Sequence, residues 1–96
     1  PELRAAIARR YTDRGVPTTP GQILVTTGAQ NALALCLAAI LRPGSRVLIE
    51  HPTYPNALAA IRRWGGSCVP VDLDPDGWDF ERFREAVREA RPELIY

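Results

Sequence analysis

The sequence contains no lysine and no methionine, and its twelve cations are all arginines. The lysine-bearing Walker phosphate loop is therefore excluded, and no GxGxxG turn is present either. A chain that does not open on methionine is expected to be a fragment or a processed product. Cysteine is scarce: Cys36 and Cys68 are too few for a disulfide scaffold and lie in apolar runs. They are expected to be buried free thiols in a reducing compartment. One histidine and two distant cysteines offer no zinc site. No charge of one sign dominates, since twelve cations face eleven acids for a net charge of +1. A nucleic-acid contact or a membrane-surface module driven by charge is excluded on that balance. The longest apolar stretch, Ala32 to Leu41, is about half of a membrane span. No basic segment followed by an apolar one opens the chain, so a soluble, cytoplasmic setting is expected.

What is present is a chain of 96 residues, 46% hydrophobic and 24% charged, enough for one small domain at most. Residues 1–14 predict a helix with Leu3, Ile7 and Tyr11 on one face, stopped by Gly15. Ile23-Leu24-Val25-Thr26 is β-branched and apolar and predicts a short buried strand, followed by a helix from Ala29 to Leu41. That helix is apolar on nearly every side and needs cover on several faces. RVLIE, Arg46 to Glu50, predicts a second strand, and a helix over 57–64 ends at Gly65-Gly66. Ser67 to Val71 predicts a third strand, Asp79 an N-cap for a helix over 80–90, and Pro92 to Tyr96 the start of a fourth strand. Strands alternating with helices at this spacing imply βαβ units, right-handed crossovers and a parallel sheet, hence an α/β fold.

Three segments carry possible chemistry. In Thr26-Thr27-Gly28-Ala29-Gln30 a strand ends on glycine and opens into a helix, which aims free backbone N–H groups and the positive end of the helix dipole at one spot. That spot suits a phosphate, although many α/β turns carry a glycine for steric reasons alone. In His51-Pro52-Thr53-Tyr54-Pro55-Asn56 two prolines stiffen a loop at a strand's C-terminal edge, and Tyr54 can offer its ring to a planar ligand. The plainer alternative is a rigid turn with Asn56 as N-cap and Tyr54 packed locally. His51 has no evident triad partner and is expected to be a solvated loop residue. Asp72-Leu73-Asp74-Pro75-Asp76-Gly77 copies the first half of a calcium loop, but Phe83 stands where the bidentate Glu belongs. A turn that leads into the next helix is expected there instead. The arginines and acids of Arg62-Arg63 and of Glu81 to Arg91 are expected to be solvated helix faces.

Together, LRAAIARRYTDRG, PTTPGQILVTTGAQNAL, LRPGSRVLIEHPTYPNAL and VDLDPDGWD resemble the class I/II, fold type I aminotransferases that depend on pyridoxal 5'-phosphate (PLP). The phrasing is most similar to the aminotransferase-like domain of MocR-type (GntR family) bacterial regulators. The resemblance covers nearly the whole chain, in the family's order. It implies a three-layer α/β/α fold with a mainly parallel sheet, of which residues 1–96 would be a partial N-terminal part of the PLP-binding large domain. It also implies a homodimer. Carried over by position, it makes Gly28, Ala29 and Gln30 the turn whose amides hold the cofactor phosphate, and Tyr54 the aromatic residue stacked on the pyridine ring.

The family bonds its cofactor through a lysine, and this chain has none. The family's other catalytic groups belong further along than this sequence runs, so no catalytic residue and no metal ligand is assigned here. The resemblance implies transfer of amino groups between amino acids and keto acids in the whole protein. The alternative is an effector-sensing domain of a MocR-type transcriptional regulator, which residues 1–96 do not distinguish from the enzyme. A third possibility, a complete small α/β binding module, conflicts with the over-apolar helix 29–41.

Overall fold

The computed structural model describes all of residues 1–96. Its elements are α1 (Glu2–Thr12), a 3-10 turn (Pro20–Gln22), α2 (Ala29–Ile40), β1 (Arg46–His51), α3 (Pro55–Arg63), β2 (Ser67–Asp72), α4 (Phe80–Ala90) and β3 (Leu94–Ile95). The three strands form one parallel sheet in the order β2-β1-β3. β1 is central, and its Val47-Leu48-Ile49 triplet is buried, as a parallel strand covered on both faces requires. Register pairs Val47 with Cys68 and Leu94, and Leu48 with Val69 and Ile95.

Alternation along β1 sends Val47 and Ile49 to one side, where they pack with Leu37 of α2 and Ile61 of α3 as the core. Leu48 faces the other side with Val69 and Val71, the side on which α4 packs against β1 and β2. Helices on both faces of a parallel sheet give the three-layer α/β/α arrangement. At the N-terminal edge, Arg46 ties the layers together: its Nη1 donates to Ala90 O at 2.9 Å, and its amide donates to Glu93 Oε2 at 3.0 Å. Asp79 caps α4 by accepting from the amides of Glu81 and Arg82, at 3.0 and 3.2 Å. The acidic segment before it closes as a tight turn, with Asp74 and Gly77 exchanging two backbone hydrogen bonds of 2.9 Å.

Several expectations are corrected. Residues 23–26 are extended at Ile23 (φ −104°, ψ 122°) but form no strand: no sheet strand lies beside them, and Leu24, Val25 and Thr26 make no backbone hydrogen bond. They are not buried either, with Leu24 73% exposed. A β-branched run sets the backbone for a strand, but a strand exists only with a ladder partner. α1 is shorter than predicted, and Leu3 and Tyr11 of its apolar face stay exposed because its main neighbour is the small 3-10 turn. Cys36 is exposed and Cys68 half-buried, rather than both buried. α2 turns only Leu37 fully inward and leaves Leu35 and Ile40 outside. No helix is long and apolar enough to cross a membrane.

Exposure on this scale has a thermodynamic meaning. The surface is 7220 Å² for 10.6 kDa, whereas a self-contained domain of that mass exposes about 5,500 Å². The radius of gyration is 15.9 Å, against about 12.5 Å for a compact chain of this length. The apolar sides of α1, α2 and the extended segment thus remain in water. The isolated 96-residue chain is predicted to melt without a sharp transition and to bind the dye ANS; a cooperative two-state melt of a monomer would contradict this. A second expectation concerns Gly66, where an added Cβ would lie 2.7 Å from Ile61 Cγ2 and 3.1 Å from Ile61 O. Gly66→Ala is predicted to lower the stability of the protein carrying this segment by about 1–3 kcal/mol in chemical denaturation; an unchanged midpoint would refute the close packing of α3 on this turn.

Candidate functional site

The start of α2 combines three local features. Gly28 is its N-cap, at φ 111° and ψ 169°, a region open essentially to glycine alone. An added Cβ there would meet nothing within 4 Å, so conformation rather than crowding selects the glycine. No side chain caps the helix. Thr26 turns its hydroxyl to Gly28 O (3.2 Å), and Asn31 Oδ1 accepts from the Thr27 amide (3.3 Å), one residue before the cap. The amides of Ala29, Gln30 and Asn31 consequently donate to no protein acceptor. Three convergent donors at the positive end of a twelve-residue helix make a cup for an anion.

α3 begins beside it. Gln30 of α2 and Asn56 of α3 line one groove of about 510 Å³, with Arg63 and Trp64 further along it. The two helix starts therefore lie at the same edge of the sheet, the edge to which β1 delivers its C-terminal end. Tyr54 is the N-cap of α3, and Pro55 occupies the first helical position, where a missing N–H costs nothing. This corrects the expectation that Asn56 caps a helix starting at 57. Asn56 lies within the first turn, and its Nδ2 donates to Tyr54 Oη at 2.8 Å. The Tyr54 side of the turn is not packed away: the residue is 52% exposed. The Thr53 hydroxyl, by contrast, is shielded from water without a hydrogen-bond partner.

Local sequence pattern does not link His51 with Asp72, yet the structure does. They are the last residues of β1 and β2 and are paired in register, and His51 Nδ1 lies 3.0 Å from Asp72 Oδ1. The predicted strands, Arg46 to Glu50 and Ser67 to Val71, each stop one residue short of this pair. The side chains are 64% and 72% exposed, so the pair contributes little to stability. The imidazole's one side-chain hydrogen bond is to that carboxylate.

Residues 1–95 match the family model of aminotransferase class I and II. An HTH-type transcriptional regulator of Escherichia coli, YdcR, is 39% identical over 89 residues, covering 92% of this chain and 19% of that protein. The 2-aminoadipate transaminase of Thermus thermophilus is 33% identical over 88 residues, covering 92% of this chain and 22% of that enzyme. Among solved structures, α-aminoadipate aminotransferase LysN of the same organism, complexed with N-(5'-phosphopyridoxyl)-L-leucine, matches with a TM-score of 0.82 and 34% identity. The match covers 98% of this chain and 23% of that one. The chain spans about a fifth to a quarter of the length of these relatives. By sequence and by fold, this chain belongs to the aminotransferase class I and II family.

Proposed function

We propose that residues 1–96 are the N-terminal part of a PLP-binding large domain. The protein that carries them would transfer amino groups between amino acids and keto acids. The observation that carries the proposal is the set of unpartnered amides at Ala29, Gln30 and Asn31 behind a glycine with open space around it. That donor set fits a dianionic phosphate, and the half-exposed Tyr54 ring at the same sheet edge fits a flat heteroaromatic ring. In this reading Gly28, Ala29 and Gln30 hold the phosphate through the backbone, with the α2 dipole favouring its charge. Tyr54 orients the ring by stacking. The LysN complex with a phosphopyridoxyl amino acid supports the same ligand class.

When bound, PLP supplies the electron sink for chemistry at an amino acid's α-carbon. The chain's own residues bind and orient it. With no lysine in the sequence, residues 1–96 carry no group to bond the cofactor and assume no catalytic role. A cytoplasmic homodimer belongs to the same proposal, by analogy with the family. The relative YdcR supports a second reading, in which the same site serves a MocR-type regulator that senses an amino acid or keto acid effector. The cofactor site is common to both, and amino-group turnover by the purified protein separates them.

Two substitutions test the site in the protein that carries this segment. Tyr54→Ala is expected to remove about 1 kcal/mol of stacking, a roughly fivefold loss of PLP affinity, and to shift the bound-cofactor absorbance. Unchanged affinity would remove Tyr54 from the site. Gly28→Val forces a β-branched residue into a glycine-only conformation at a cost of about 1–3 kcal/mol, which disturbs the turn that presents the α2 amides. Cofactor occupancy is expected to fall further than for Tyr54→Ala, and full occupancy would place the phosphate elsewhere.

A further inference from the structure

Asn56 stands within the first turn of α3, but its side chain does not serve that helix's own amides. It reaches back two residues, and Nδ2 donates to Tyr54 Oη at 2.8 Å. The Tyr54 ring has no aromatic partner, as the one ring pair in the molecule is Trp78 with Phe83. With half of Tyr54 in solvent, little packing fixes the ring plane, and the tether at its far end is the specific restraint on it. The tether is itself held at a defined place. Pro55 sets the first helical residue, Ala57 N donates to Tyr54 O at 3.0 Å, and Asn56 lines the same groove as Gln30 at the start of α2.

We infer that Asn56 is a positioning residue, acting through the Tyr54 hydroxyl to fix the plane that the ring offers to a flat ligand at the start of α2. This rests on the PLP reading given above. A tyrosine whose hydroxyl is held by an amide is better organised for stacking than a phenylalanine, because less rotamer freedom is lost when the ligand arrives.

The test is a double-mutant cycle of Asn56→Ala and Tyr54→Phe in the PLP-loaded protein, read by PLP dissociation constant and by circular dichroism in the cofactor absorption band. Asn56→Ala alone is expected to weaken retention about threefold and to reduce the band. In the Tyr54→Phe background it is expected to change neither, since the accepting hydroxyl is already gone. Asn56→Leu, similar in volume and without a donor, is expected to repeat the result and stands in if the alanine variant folds poorly. An equal effect of Asn56→Ala in both backgrounds means a purely structural role and overturns the inference. A silent Asn56→Ala beside a damaging Tyr54→Ala overturns it while sparing the cofactor reading. A silent Tyr54→Ala overturns it too and removes Tyr54 from the site, while full cofactor occupancy in Gly28→Val is the result that overturns the phosphate reading.

Discussion

The contact of Leu37 in α2 and Ile61 in α3 with Val47 and Ile49 of β1 is the packing on which the rest of the molecule depends. It fixes α2 and α3 side by side above one face of the sheet. Since β1 runs directly into the loop before α3, the start of α3 must lie at the C-terminal edge of that strand. Packing α2 against α3 then brings the start of α2 to the same edge, and the groove shared by Gln30 and Asn56 records that outcome. The functional geometry is thus a consequence of four buried aliphatic side chains, none of which would touch a ligand.

What gathers at that edge is a set of groups left incomplete by their own local structure. The Thr26 hydroxyl turns to Gly28 O and no side chain caps α2, so three helix amides stay without acceptors. Gly28 tolerates a conformation closed to other residues, and Tyr54 keeps half its surface in water. Each feature alone is an ordinary cost of a turn. At one sheet edge, they are the groups on which the proposed PLP site rests. The opposite edge has no such character: there Arg46 is satisfied by Ala90 and Glu93, and it serves only to join β1 to α4 and β3.

Most of the fold was legible in the sequence. The period of apolar residues located α2, α3, α4, β1 and β2 within a few residues, and Asp79 capped the helix it was expected to cap. The turns at Gly28 and Tyr54 were legible as helix starts because glycine and the flanking prolines restrict the backbone directly. Failures came where structure depends on a neighbour distant in sequence. Residues 23–26 have strand chemistry without a ladder partner, and α1 has an apolar face without a surface to cover it. His51 and Asp72 meet only through β-sheet register, which local pattern does not specify to the residue. Asn56 has the chemistry of a cap, but Pro55 moved the helix start, which freed the amide to reach Tyr54.

The central claim is that the start of α2 is the phosphate end of a PLP site and Tyr54 its ring plate. The most direct measurement is a crystal structure of the PLP-loaded protein that carries these residues. The account predicts phosphate oxygens roughly 2.7–3.2 Å from the amides of Ala29 and Gln30, with the Tyr54 ring face against the pyridine. A phosphate bound away from Gly28, or a pyridine ring with no contact to Tyr54, would contradict it.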